Sequence, residues 1–388
     1  MTKTDNHSRR MDNIAPFYVM DIVNRVKELE QEGRDIVRME VGEPDFVTVE
    51  PIIQAGIEAL QNGCTKYTSS LGIVELRKKI SLYYQEKFGV DVPYERIVIT
   101  NGASGALMLA MGVLVNYADR VILSDPGYPC NRHFVRMFDG DPVMLPVDAS
   151  TNYQLSASMV EKCHEKGAKA VLLSTPSNPT GTIIAIDDIA RIHQICAANG
   201  SELIVDEIYH GLVYDSDPPS AVTVSDDLFV INSFSKYFGM TGWRLGWMVV
   251  PEKYVDAIDR LSQNVFLSAP TMAQYAAIEA FNPKTIQILE QRKQKLKKRR
   301  DYLLPELQKI GFIIDAEPQG AFYLYADCSK FTDDSYKFCL DLLENAGVAI
   351  TPGIDFGKHN ENKYVRFAYV SSMERLKSGV ERLASYLS

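Results

Sequence analysis

Lys236 follows an apolar run that predicts a strand. Ser233 and Ser235 precede this lysine, and Arg244 comes shortly after it. In an open α/β sheet, ligands bind beyond the carboxyl ends of the strands. Two hydroxyls and an arginine are donors that suit a phosphate monoester, although a lone lysine there would more often be a solvated side chain. A lysine amine beside a phosphate site indicates Schiff-base chemistry with a phosphorylated aldehyde cofactor.

Two more charged residues lie in apolar surroundings and need partners. Asp206 ends a predicted strand, and Tyr209 follows it closely. A protonated pyridine nitrogen would supply the cation that a buried carboxylate needs, and an aspartate that caps the next turn is the alternative. Arg366 lies inside an apolar strand, so its partner is either a structural carboxylate or the carboxylate of an amino- or keto-acid substrate.

Two further loops follow predicted strands. The loop 100–106 leads into a helix, and its small residues let backbone N–H groups approach an anion at the positive helix end. The loop 175–181 places Asn178 next to prolines, which stiffen the loop and fix the direction of that side chain. Ordinary helix capping and an ordinary turn are the alternative interpretations of these loops.

Seven short apolar runs predict the strands that position these residues. Stretches long enough for helices separate most of them, which is typical of a largely parallel sheet covered on both faces. We therefore predict an α/β fold with a seven-stranded, mostly parallel sheet between helices and a smaller α+β domain. The runs are 97–100, 121–124, 143–146, 170–174, 203–206, 229–232 and 247–250.

The pattern along the chain also predicts domain boundaries. Near residue 284 it changes to a long charged helix, followed by alternating short strands and helices. We predict an N-terminal arm and part of a small domain over 1–43, a large domain over 44–283 and a small C-terminal domain over 284–388. The arm includes a predicted helix over 19–32.

Composition excludes several classes of protein. The chain has 388 residues and is 46% hydrophobic, a composition typical of an ordered globular protein and not of a disordered one. Its net charge of −9 would repel the phosphates of nucleic acids. We expect the basic run 292–300 to form a solvated helix face. The apolar runs are too short to cross a membrane, and residues 2–10 lack the apolar core of a secretion signal. Six cysteines without a CxxC pair are typical of a protein in the reducing cytoplasm.

Common signatures for dinucleotides, nucleoside triphosphates, zinc hydrolysis and serine hydrolysis are absent, and the six histidines lack metal-ligand spacing. Instead, the run 233–246 resembles the lysine signature of the class I/II aminotransferases, the fold-type I enzymes that use pyridoxal phosphate. Further matches follow in the family's order over nearly the whole chain. They are 41–46, 66–67, Gly72, 75–77, 125–129, 175–181, Asp206, Tyr209 and Arg366.

The resemblance implies how the cofactor ring would be held. Lys236 would form the internal aldimine, and Asp206 would pair with the pyridine nitrogen. Tyr209 and Asn178 would bond the 3-hydroxyl of the ring, and Tyr128 would stack on it. Many aspartate-type members have tryptophan where this chain has Tyr128.

The resemblance also implies a phosphate site. The phosphate would accept hydrogen bonds from the backbone N–H groups of Ala103 and Ser104. Ser233, Ser235 and Arg244 would complete its set of donors.

A carboxylate site and a homodimer are implied as well. Arg366 would hold the α-carboxylate of the substrate, helped by Asn178 and the backbone at Gly42. Tyr67 would reach the phosphate in the partner subunit. No arginine for a substrate's side-chain carboxylate is evident, and we expect an apolar or aromatic pocket lined by 14–18, Tyr67 and residues near Phe266.

The implied activity moves the amino group of an L-amino acid to a 2-oxo acid, pyruvate or 2-oxoglutarate, by a ping-pong mechanism. The expected pocket favours neutral or aromatic donors. A C–S β-lyase or a decarboxylase on the same scaffold is the alternative, because fold and cofactor do not determine the reaction. A cofactor-binding regulatory module is a weaker alternative, since the 41 residues before Gly42 show no basic helix-turn-helix pattern.

Overall fold

The computed structural model describes residues 8–388, so residues 1–7 of the predicted arm lie outside the described residues. Within the described range the chain forms twelve strands. They are β1 (Val37–Arg38), β2 (Ile97–Thr100), β3 (Arg120–Asp125), β4 (Asp141–Pro146), β5 (Ala170–Ser174), β6 (Glu202–Asp206), β7 (Phe229–Ser233), β8 (Gly246–Val249), β9 (Tyr323–Asp327), β10 (Val348–Ala349), β11 (Thr351–Pro352) and β12 (Tyr364–Ala368).

The same range contains twelve α-helices. They are α1 (Tyr18–Gln31), α2 (Glu50–Gln61), α3 (Val74–Phe88), α4 (Gly102–Leu114), α5 (Pro129–Met137), α6 (Ala157–His164), α7 (Ile186–Ala198), α8 (Val255–Val265), α9 (Thr271–Ile278), α10 (Pro283–Ile310), α11 (Ser335–Asp341) and α12 (Met373–Leu387).

Seven strands form one sheet in the order β2-β8-β7-β6-β5-β3-β4. All of them run in the same direction except β8, which is antiparallel to both of its neighbours. The predicted seven-stranded, mostly parallel sheet is therefore confirmed. Several strands extend a residue or two beyond the apolar runs, because backbone pairing continues through polar end residues such as Arg120 and Asp141.

Both faces of this sheet are covered. Alternate residues of the strands belong to two different apolar clusters, for example Leu203 and Val205 to one and Ile204 to the other. Because successive side chains of a strand point to opposite faces, each cluster packs helices against one side of the sheet. This double burial explains why the strands appear in the sequence as continuous apolar runs.

A smaller unit joins the two ends of the described chain. β11, β12 and β9 form an antiparallel sheet, and β1 pairs with β10 through Val37 and Val348. A separate apolar cluster includes residues of α1, α10 and α12. The domain boundaries at 43 and 283 stay predictions.

The basic run in α10 departs from the expectation of a solvated face. Arg299 is 6% exposed and Arg300 is 3% exposed. Arg299 pairs with Asp45 and Arg300 with Asp215, at 2.8 and 2.7 Å. The expectation was wrong for these two residues because their charges are neutralised by carboxylates from distant segments. No helix in the described part of the chain is long and apolar enough to cross a membrane.

Candidate active site

A cavity of about 450 Å³ lies at the carboxyl ends of the central strands. Five strands lead into its lining: β2, β3, β5, β6 and β7. Parallel strands bring their carboxyl ends to one edge of a sheet, which gathers residues far apart in sequence. Twelve of the thirteen residues predicted for the site line this cavity. They are Gly42, Ala103, Ser104, Tyr128, Asn178, Asp206, Tyr209, Ser233, Ser235, Lys236, Arg244 and Arg366.

The amine of Lys236 lies inside the cavity. Its Nζ donates to the carbonyl of Gly42 at 2.9 Å, and it lies 5.6 Å from the ring centroids of Tyr209 and Phe322. Burial, followed by the positive charge of Arg366, lowers the pKa of this lysine to about 8. The amine therefore exchanges protons near neutral pH, where an ordinary lysine stays charged.

Asp206 ends β6 and is 4% exposed. Its Oδ1 accepts the N–H of Ile208 at 3.2 Å, so the turn-capping contact considered as an alternative is present. The carboxylate also faces the cavity, where burial raises its pKa to about 7. The charge of Lys236 opposes this shift without cancelling it, so a cation bound in the cavity would stabilise ionised Asp206.

The guanidinium of Arg366 is 6% exposed and lines the cavity. Its partners are the side-chain oxygen of Asn178 at 2.8 Å, the carbonyl of Glu40 at 2.7 Å and the hydroxyl of Thr351 at 3.2 Å. All three acceptors are neutral oxygens, and Nε has no hydrogen-bond partner among residues 8–388. The charge is therefore available to a ligand carboxylate, the second of the two partners considered for this arginine.

Tyr323 is a cavity residue that the sequence analysis missed. Its hydroxyl lies 2.8 Å from that of Tyr209, and its ring centroid lies 4.2 Å from the guanidinium carbon of Arg366. A Cβ on Gly42 would come within 1.9 Å of the Tyr323 hydroxyl, so only glycine fits at position 42. Burial raises the pKa of the Tyr209 hydroxyl well above its usual value.

The part of the cavity at the start of α4 has features that suit an anion. Ala103 and Ser104 lie in the first turn of α4, which has no side-chain cap. The guanidinium of Arg244 lies against the same turn, 3.0 Å from where a Cβ of Gly102 would be. Arg244 has a φ of +53°, a strained conformation for a residue with a side chain. Backbone N–H groups without a side-chain cap in the described part of the chain, a helix dipole and a guanidinium together favour phosphate.

The apolar wall of the cavity comes from α1 and the residue before it. Phe17 belongs to the predicted stretch 14–18, but the remaining residues of this wall were not predicted. They are Val19, Met20 and Val23. Phe266 packs near Gly105 instead, and it is not among the residues that line the cavity.

Tyr67 is the predicted site residue that the structure places elsewhere. It is 79% exposed and does not line the cavity.

Comparisons with known proteins agree with this geometry. The family described as aminotransferase class I and II matches residues 34–383. A (5-formylfuran-3-yl)methyl phosphate transaminase from Methanocaldococcus jannaschii is 36% identical over 98% of this chain and 99% of its own length. A valine–pyruvate aminotransferase from Mycobacterium tuberculosis is 37% identical over 96% of this chain and 97% of its own.

A solved structure also covers the whole fold. The crystal structure of an aminotransferase from Mycobacterium tuberculosis has a TM-score of 0.95 at 38% identity and covers 99% of both chains. The fold, the full-length relatives and the family match point to one conclusion. The chain belongs to the class I and II aminotransferases, enzymes that depend on pyridoxal phosphate.

Proposed function

We propose that the cavity holds pyridoxal phosphate between the anion site and Asp206. The uncapped first turn of α4 and Arg244 would take the phosphate, with Ser233 and Ser235 as further donors. Asp206 would pair with the ring nitrogen, because its buried carboxylate needs a cation.

The remaining ring contacts would come from three side chains around the cavity. Tyr209 and Asn178 would bond the 3-hydroxyl of the ring, and Tyr128 would stack on its face. All three line the same cavity as Lys236.

Lys236 would act as the acid and base of the reaction. When bound, pyridoxal phosphate supplies an aldehyde that condenses with amines and a ring that accepts an electron pair. The neutral Nζ of Lys236 would remove the α-proton of the substrate and return it to the carbon that carried the aldehyde of the cofactor. A pKa of about 8 supports this role, because the neutral fraction of the amine near neutral pH is then much larger than that of an ordinary lysine.

Arg366 would bind the α-carboxylate of the substrate. Its guanidinium is oriented by hydrogen bonds that it donates to Asn178 and to the carbonyl of Glu40, and no carboxylate among residues 8–388 forms an ion pair with it. Two arginines line the cavity, and Arg366 is the one that remains for the carboxylate because Arg244 lies at the anion site. Donor and acceptor would therefore bind in turn at the same place, which is a ping-pong order.

The apolar wall supports neutral donors, branched or aromatic, with pyruvate or 2-oxoglutarate as acceptor. The relative from Mycobacterium tuberculosis is named for valine and pyruvate, which fits such a wall. We further propose a homodimer in which Tyr67 completes the partner's phosphate site, and a location in the cytoplasm. The exposure of Tyr67 on its own subunit supports the dimer.

This proposal rests on one juxtaposition: the buried amine of Lys236 shares a cavity with the uncapped start of α4 and with Arg366, which has no carboxylate partner among residues 8–388. Initial rates with L-valine, L-phenylalanine and L-aspartate, each with pyruvate or 2-oxoglutarate, test the donor class. Valine or phenylalanine is expected to outperform aspartate. Strong preference for aspartate would contradict the donor class, and release of ammonia without an oxo acid would favour the β-lyase instead.

A further inference from the structure

The start of α1 is held by a side chain from near the other end of the chain. The backbone N–H groups of Tyr18 and Val19 donate to the two carboxylate oxygens of Asp355, at 2.7 and 2.9 Å. The N-cap position of the helix is Phe17, which offers no side-chain cap. Asp355 is 1% exposed, so these charge-assisted hydrogen bonds are shielded from water.

The residue next to Asp355 touches two other walls of the cavity. The ring centroid of Phe356 lies 4.9 Å from the guanidinium carbon of Arg366. The carbonyl of Phe356 accepts the N–H of Gly127 at 2.9 Å, one residue before Tyr128. Two adjacent residues therefore join the apolar wall to the arginine that would hold the substrate carboxylate.

We propose that Asp355 is a positioning residue that sets how far α1 lies from Arg366, and so how large an apolar side chain the cavity accepts. This inference rests on the proposed function, in which Arg366 binds the carboxylate. Without the Asp355 oxygens, the first turn of α1 loses its side-chain acceptors and frays. Val19 and Met20 lie in that turn, so the wall moves with it.

Hydrogen exchange at the start of α1 tests the contact without any need for activity. Asp355→Ala is expected to speed exchange of the amides of Tyr18 and Val19 by about tenfold, because charge-assisted hydrogen bonds are lost. Asp355→Asn is a second, milder variant that keeps one carbonyl acceptor. Its exchange rates are expected to lie between those of Asp355→Ala and the wild type. Unchanged exchange in both variants would overturn the proposal.

Ser156 provides a control. Its hydroxyl caps α6 by accepting the N–H of Met159 at 3.3 Å, and α6 does not line the cavity. Ser156→Ala is expected to leave exchange at the start of α1 unchanged. Equal acceleration in both alanine variants would overturn the proposal, because any lost helix cap would then have the same effect.

Two carboxylic acids of different size test the consequence for the cavity. Propanoate and 3-phenylpropanoate would be titrated into the cofactor-loaded protein while its visible absorbance is followed. Asp355→Ala is expected to weaken 3-phenylpropanoate about tenfold and propanoate by less than about threefold. Equal weakening of both would overturn the proposal, because Asp355 would then support only Arg366. Failure of the wild type to bind either acid would contradict the proposed function, whereas the exchange experiment would still decide the contact with α1.

Discussion

Lys236 is set to lose its proton near neutral pH. Burial and the charge of Arg366 lower its pKa to about 8. Since the pKa is lowered, the neutral amine dominates above about pH 8 and falls about tenfold for each pH unit below it. We expect the rate of cofactor uptake by the apoprotein to follow this fraction, rising to about pH 8 and levelling above it. Stopped-flow absorbance measures the rate, and a flat profile would contradict the lowered pKa.

Asp206 and Glu207 are buried neighbours with different contacts. Asp206 faces the cavity, whereas Glu207 accepts the hydroxyl of Ser220 at 2.7 Å and the N–H of Ala221 at 2.6 Å. Asp206→Asn is expected to lower kcat about 100-fold or more, because a neutral amide cannot stabilise a positive ring nitrogen during proton transfer. Steady-state rates at saturating donor and acceptor measure this loss.

Glu207→Gln is the matched control for that variant. It is expected to lower the melting temperature, because it disturbs buried hydrogen bonds, and to leave kcat of the folded enzyme within about twofold. A comparable loss of kcat in the two variants would contradict a specific role for Asp206.

Most of the site could be predicted from the sequence, because its polar residues follow apolar runs that end at one edge of the sheet. Lys236 and Asp206 are of this kind. Tyr323 could not be predicted in this way, because it lies in an apolar strand and reaches the cavity only through the packing of β9 beside Arg366. The same holds for Val23, whose helix contacts the cavity through tertiary packing.

The helix α1 presents one face to the cavity and another to the core. Val23 lines the cavity, whereas Val26 is fully buried in the apolar cluster beneath it. Val23→Ala is expected to raise KM for a bulky apolar donor by about fivefold relative to L-alanine, because apolar contact area is lost. Val26→Ala is expected to cost about 2 kcal/mol of stability, because two buried methyl groups are lost, and to leave this KM ratio unchanged.

Initial-rate kinetics and thermal melting of both variants measure these effects. A change of the KM ratio in Val26→Ala as large as that in Val23→Ala would contradict the assignment of the wall.

The elements differ in how well the sequence specifies them. Strands buried on both faces are visible as apolar runs, and all seven strands of the large sheet were predicted. The reversed direction of β8 was not, because strand direction depends on the connections between strands and leaves no mark on composition. Burial of Arg299 and Arg300 was missed because their carboxylate partners, Asp45 and Asp215, are distant in sequence.

The whole molecule is expected to work as a dimer with shared sites. Tyr67 is 79% exposed, and Lys236 lies inside the cavity. Tyr67→Ala and Lys236→Ala homodimers are each expected to have little activity. In a mixed dimer, the subunit that retains Lys236 would receive Tyr67 from its partner, which restores one intact site.

Unfolding and refolding the two variants together tests this arrangement. Random pairing is expected to recover about a quarter of the wild-type activity, because about half the dimers are mixed and each has one intact site. Refolding each variant alone is the control. Absence of recovery in the mixture, with dimers present by light scattering, would contradict a site completed by the partner.

The visible absorbance of the cofactor-loaded protein, followed while a single L-amino acid is added without any oxo acid, tests amino-group transfer through Lys236. We expect the wild type to show a cofactor band that an effective donor converts once. About one oxo acid is expected per bound cofactor, because one amino group is transferred per cofactor. Lys236→Ala is expected to keep its fold and lose this conversion. Continued release of ammonia and oxo acid from the wild type, or the same conversion in Lys236→Ala, would contradict amino-group transfer through Lys236.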